Sequence, residues 1–120
     1  MSDKKKILFI INPKSGHGKG VKITSFIEKY IDTNKIDYSI HYTQYPGHAK
    51  EISCINKNQY NAIIAVGGDG SVHEVGCELI GTDTALGIIP IGSGKGIARH
   101  IKVSTNIIRA IKAINNFKSI

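Results

Sequence analysis

The stretch with the greatest chemical potential is Gly67-Gly68-Asp69-Gly70-Ser71-Val72-His73-Glu74. It follows a short apolar run, Ala62 to Val66, and opens a segment with helical spacing. Paired glycines let a backbone turn sharply and let its N–H groups approach a ligand with no Cβ in between. The helix start that follows offers unpaired N–H groups and the positive end of a dipole, which suits phosphate. The stretch therefore reads as a nucleotide-phosphate cradle. It equally suits a plain strand-to-helix turn with Asp69 as its cap. Glu74, three residues after Ser71, has the spacing of a capping box.

Deciding between the two requires the elements that position this loop. A first buried strand, Ile7 to Ile11, ends in Asn12-Pro13-Lys14-Ser15-Gly16-His17-Gly18-Lys19-Gly20. Proline and alternate glycines predict a mobile turn here, with helical spacing beginning only at Val21 and running to about Ile31. Tyr38 to Thr43 reads as a second strand, Tyr45 to His48 as a turn, and the residues to about Lys57 as a helix. The Ala62 run is the third strand, with its helix from Ser71 to about Ile80 closed by Gly81. A fourth strand, Ala85 to Ile89, meets Pro90-Ile91-Gly92-Ser93-Gly94-Lys95, then a short helix through Arg99. A last helix from near Ser104 to about Phe117 turns Ile107, Ile108, Ile111 and Ile114 inward.

Strand alternates with helix throughout. That predicts one α/β domain over residues 1–120, an open, mostly parallel sheet with helices on both faces. Ligands bind such sheets beyond the carboxyl ends of the strands. Three of the four strands end in loops rich in glycine and small polar residues, which favours a shared phosphate site over three separate turns.

Composition narrows the partners. Sixteen Lys+Arg against nine Asp+Glu give a net charge of +7, which favours anionic ligands. The basic residues are scattered and nearly all lysine, so nucleic acid is not the expected partner. No apolar stretch approaches the ~20 residues that span a bilayer, and the run behind the basic amino end is too short for a signal sequence. A soluble, intracellular protein is expected. Cys54 and Cys77 have no metal-ligand spacing and are expected as free buried thiols.

The common phosphate fingerprints fail. Gly94-Lys95 and Gly18-Lys19 lack the upstream glycine of a P-loop, and no Gly-x-Gly-x-x-Gly follows the first strand. What is present is the trio Asn12-Pro13-Lys14-Ser15-Gly16, Gly67-Gly68-Asp69-Gly70-Ser71-Val72-His73-Glu74-Val75 and Pro90-Ile91-Gly92-Ser93-Gly94. In that order and spacing they closely resemble the catalytic domain of diacylglycerol kinases and the related sphingoid and bacterial lipid kinases. Thr43 with Pro46-Gly47-His48-Ala49 resembles that family's second-strand nucleotide element. The resemblance covers about Ile7 to Ile101. Gly-Gly-Asp-Gly alone is less specific, being similar in NAD kinases and phosphofructokinases; the combination is specific.

The resemblance implies an ATP-binding amino-terminal domain that phosphorylates a lipid hydroxyl together with a second, mostly β domain. The general base and most of the lipid pocket would come from that second domain, and this chain would be the nucleotide-binding half. No catalytic residue is then expected here beyond an indirect role for Asp69, which would orient its loop or hold Mg²⁺ through water. The implied ATP contacts are Asn12, Pro13 and Ser15 in the first loop and Thr43 after the second strand. Gly67, Gly68, Asp69, Gly70, Ser71, Val72 and His73 follow in the third loop, and Gly92, Ser93 and Gly94 in the fourth. Peripheral contact with a membrane surface is implied by the lipid substrate. Lys95 departs from the family, which usually has Asn there, and a cation cannot reproduce an amide's paired donor and acceptor. A non-catalytic nucleotide-binding module and a NAD kinase-like enzyme are the alternatives.

Overall fold

A run such as Ile7-Leu8-Phe9-Ile10-Ile11 points its side chains alternately to opposite faces of a sheet, so both faces need cover. In the computed structural model, which describes residues 4–90 and 100–116, the run lies in strand β1 (Lys5–Ile11) and is buried throughout. The chain continues through α1 (Ser15–Tyr30), β2 (Ile36–Tyr42), α2 (His48–Asn56) and β3 (Ala62–Gly67). It then forms α3 (Asp69–Leu79), β4 (Ala85–Pro90) and α4 (His100–Ile114). The four strands are parallel, in the order β2-β1-β3-β4.

Each face of the sheet has its own core. Ile7, Phe9, Ile11, Ile64 and Val66 pack with Ile23 and Ile27 of α1 and Ile107 and Ile111 of α4. Leu8, Ile10, Ile63 and Ala65 pack with Ala49 and Ile52 of α2 and Val75 and Leu79 of α3. The topology accounts for this division. The chain moves from β1 outward to β2, then returns across β1 to β3, and crossovers of a single hand put α1 and α2 on opposite faces. Where the winding reverses, between β1 and β3, the carboxyl ends of the strands flank a crevice.

Polar side chains fasten the helices at fixed points. The buried Ser53 hydroxyl donates to the Val75 carbonyl at 3.3 Å, tying α2 to α3. Asn115 accepts from the Asp32 N–H at 2.8 Å and donates to the Tyr30 carbonyl at 2.9 Å, tying the end of α1 to the segment after α4. Thr84, 5% exposed, receives the Asn58 N–H at 2.9 Å and donates to the Tyr60 carbonyl at 3.1 Å. Thr84→Val keeps the shape and removes both bonds. It is expected to cost about 1–2 kcal/mol in chemical denaturation, and a loss below a few tenths would show the pair to be dispensable.

Several local expectations are corrected. Helix α1 begins at Ser15, so the glycine-rich stretch expected as a mobile turn is helical after Lys14. Each interior glycine costs a helix ~1 kcal/mol, but a helix nucleated by the packing of Ile23, Ile27 and Ile31 extends at little further cost. Helix α3 begins at Asp69 with Gly68 in the N-cap position, so Asp69 is not the cap and Ser71 sits inside the helix rather than in a capping box. Helix α4 begins at His100, ahead of the expected Ser104. Cys54 and Cys77 are free, as expected, but exposed rather than buried. Their helices bury Ile52 and Ser53 in one case and Val75 and Leu79 in the other, and the cysteines fall off those faces. The short helix expected through Arg99 lies outside the described residues. No helix among the described residues is long and apolar enough to cross a membrane.

Candidate functional site

Backbone pairing brings the ends of the first three strands level. The Asn12 N–H donates to the Val66 carbonyl at 3.1 Å and the Thr43 N–H to the Ile11 carbonyl at 2.9 Å. Each extends a ladder by one residue past its strand, so Asn12, Thr43 and Gly67 emerge at one rim. Gly67 is also level with Pro90, where β4 ends. Above this rim lies a cleft of about 590 Å³, within the ~300–1,000 Å³ range of ligand pockets. Its walls come from Asn12 to Lys14, from Thr43 to Gly47 with Ala49, and from Gly68, Gly70, Ser71 and Glu74.

Three helices start at this cleft, and none has a side-chain hydrogen bond capping its first turn. In α3 the first helical bond runs from the Val72 N–H to the Gly68 carbonyl at 3.2 Å. The N–H groups of residues 69 to 71 precede it and have no partner within the helix. The positive ends of the helix dipoles add to this, and Lys14 stands exposed beside them.

Gly68 and Gly70 of the third loop have no steric reason to be glycine. Gly68 has φ −89° and ψ −170°, an ordinary extended conformation. A Cβ built at Gly68 or Gly70 would meet nothing within 4 Å. Both residues line the cleft. Gly47 is different: its φ of 88° is the left-handed conformation that glycine adopts freely. The His48 N–H donates to the Tyr45 carbonyl at 3.1 Å, so Tyr45-Pro46-Gly47-His48 is a turn with proline and then a positive-φ glycine in its centre.

Of the residues singled out from the sequence, the structure gathers Asn12, Pro13, Thr43, Gly68, Gly70 and Ser71 around the cleft. The Asn12 carboxamide oxygen accepts the Lys14 N–H at 3.0 Å, which fixes the first loop and leaves the amide –NH₂ to face outward partners. Ser15 and Asp69 open α1 and α3 at the same rim, and Gly67 ends β3 behind the cleft wall. Val72 and His73 are not brought to the cleft. Val72 packs against the core between α2 and α3, and His73 is exposed, 3.5 Å through its Nε2 from the Cys77 sulfur. Gly92, Ser93, Gly94 and Lys95 lie outside the described residues. Gln44, Tyr45 and Glu74 line the cleft unforeseen. Glu74 was explicable as a cap partner, and only its placement one turn into α3, facing the cleft, assigns it there.

The model of the diacylglycerol kinase catalytic domain matches residues 6–120. The chain belongs to the diacylglycerol kinase catalytic domain family. Among solved structures it is similar to a diacylglycerol kinase from Bacillus anthracis, with a TM-score of 0.71, 29% identity and 97% of the chain covered. Among curated relatives it is 32% identical over 112 residues to YtlR of Bacillus subtilis, a protein named as a lipid kinase. It is 29% identical over 121 residues to sphingosine kinase B of Dictyostelium discoideum. The aligned stretches cover 88% and 94% of this chain, respectively. The chain spans 36% of YtlR, 16% of the Dictyostelium protein and 43% of the Bacillus anthracis chain. Within this lipid kinase family, the four-stranded parallel sheet of this chain has the architecture of its structural neighbours.

Proposed function

We propose that this chain is the nucleotide-binding half of an ATP-dependent lipid kinase, which transfers the γ-phosphoryl group to a lipid hydroxyl with a second domain. One observation carries the reading. Three helix starts without side-chain caps, and two glycines whose missing Cβ atoms face open space, border a single cleft. Phosphoryl transfer depends chiefly on positioning and on neutralising charge, and converging N–H groups supply both. The lipid oxygen attacks the γ-phosphorus while the bond to the β–γ bridging oxygen breaks and ADP leaves. The hydroxyl proton passes to a base on the second domain that the resemblance implies.

Mg²⁺ would screen the triphosphate charge. Among the described residues no group of three or more His, Cys, Asp or Glu could hold a metal ion. Magnesium needs no such group, since it keeps several waters and binds through one or two carboxylates and the substrate phosphates. Glu74 is a described carboxylate at the cleft, and Asp69 opens α3 beside it. The lipid substrate and contact with a membrane surface belong to the same proposal, as does a cytoplasmic location. Lys95 in place of the family's Asn favours one other reading, a nucleotide-binding module without catalysis.

Titration calorimetry with ATP and Mg²⁺ is expected to give a saturable heat, and none would remove both readings. Incubating the full-length gene product with γ-labelled ATP and either diacylglycerol or a sphingoid base separates them. Label in the lipid is the expected result; nucleotide binding with no label in either lipid would leave the module.

A further inference from the structure

One feature of the cleft is explained neither by packing nor by phosphate binding. Tyr45 lines it and is 48% exposed, yet two separate contacts hold the side chain still. The turn through Pro46 and Gly47 lays its ring on that of His48, with centroids 4.4 Å apart and planes 13° from parallel. The Tyr45 hydroxyl donates to the Glu51 carboxylate. His48 is itself fixed, since its Nδ1 accepts the Gln44 N–H at 2.9 Å. The phenol's pKa is raised above its ordinary 10.0, first by the bond to Glu51 and then by desolvation and the Glu51 charge. The hydroxyl thus remains a donor through the neutral range, and the bond is lost only as pH climbs through the raised value.

An exposed aromatic ring held in this way forfeits conformational entropy without burying itself. With one face covered by His48, the ring offers the cleft a rigid flat surface. Flat aromatic faces are what nucleoside bases stack on. Gly68 and Gly70, where the proposed phosphate site lies, line the same cleft.

We propose that Tyr45 is the stacking platform for the nucleoside base, with His48 and Glu51 as positioning residues that hold it. This inference rests on the nucleotide-binding reading and adds the end of the ligand that the helix starts do not explain. Tyr45 recognises the face of a base rather than its edge, so it contributes affinity for the nucleoside and none for the phosphates.

The test compares ATP with inorganic tripolyphosphate, both with Mg²⁺, by calorimetry on the wild type and on Tyr45→Ala and Tyr45→Phe. Tyr45→Ala is expected to weaken ATP roughly tenfold and to leave tripolyphosphate unchanged, while Tyr45→Phe retains most of the ATP affinity. The sequence contains no tryptophan, so Tyr45→Trp introduces a single indole at the platform. Its fluorescence is expected to be quenched by ATP and not by tripolyphosphate. ATP binding by Tyr45→Ala at wild-type strength overturns the platform while sparing the nucleotide site. An equal loss for both ligands overturns it too, by showing that Tyr45 only supports the loop. A wild type that binds neither ligand removes the parent reading and this inference with it.

Discussion

Gly68→Ala is expected to reduce nucleotide affinity roughly 10- to 100-fold, the value of one or so hydrogen bonds to a charged group, with the melting temperature nearly unchanged. The separation follows from the geometry. At φ −89° and ψ −170° alanine is unstrained, and its methyl group touches no protein atom within 4 Å. Gly68 lines the cleft, so the added methyl is expected to take up space that the phosphates would use. Gly70→Ala sharpens the contrast. Gly70 is a helical residue with open space at its Cβ, so alanine is expected to stabilise the fold by about 0.5–1 kcal/mol while still obstructing phosphate. Calorimetry with ATP and a thermal melt on the same samples read both quantities. Unchanged ATP affinity in both variants would mean that the phosphates do not sit against this loop. A collapsed melting temperature in either would mean that the glycines serve the fold after all.

Phe9→Ala is expected to do the reverse. Phe9 is fully buried in an interior strand, packs in the core shared by α1 and α4, and meets Tyr38 edge-on at 6.0 Å between centroids. Removing a buried phenylalanine costs about 3–5 kcal/mol in lost transfer energy and residual cavity. Total stabilities are ~5–15 kcal/mol, so the melting temperature should fall on the order of 15 °C. Nucleotide affinity measured well below that transition should change little, because Phe9 does not line the cleft and its strand stays paired on both sides. A fall of less than about 5 °C in circular dichroism would show that this face is not packed as described.

The glycine variants probe a loop, and Phe9→Ala a strand, that were both accessible to inspection of the residues. Strand β1 is legible because five consecutive apolar residues demand cover on both sides of a sheet, and helical spacing at Ile23, Ile27 and Ile31 or at Ile107 and Ile111 names the covering faces. The motifs Asn12 to Gly16, Gly67 to Val75 and Pro90 to Gly94 likewise carry the family, since order and spacing survive without coordinates. Local limits were less legible. Three glycines between Gly16 and Gly20 argue against helix by intrinsic preference, and the extension of a packed helix overrode them. Gly68 rather than Asp69 takes the N-cap position of α3, one residue earlier than local capping chemistry suggests.

Residue order alone dictated a parallel α/β domain with glycine-rich loops after its strands, because hydrophobic periodicity and turn chemistry are local properties. Only the folded chain decided which side chains from different loops share the cleft. It placed Tyr45 and Glu74 on its walls, sent Val72 to the core and turned Cys54, Cys77 and His73 outward. Those outcomes depend on strand register and on the angle at which each helix leaves the sheet, and both are set by contacts between residues far apart in the chain.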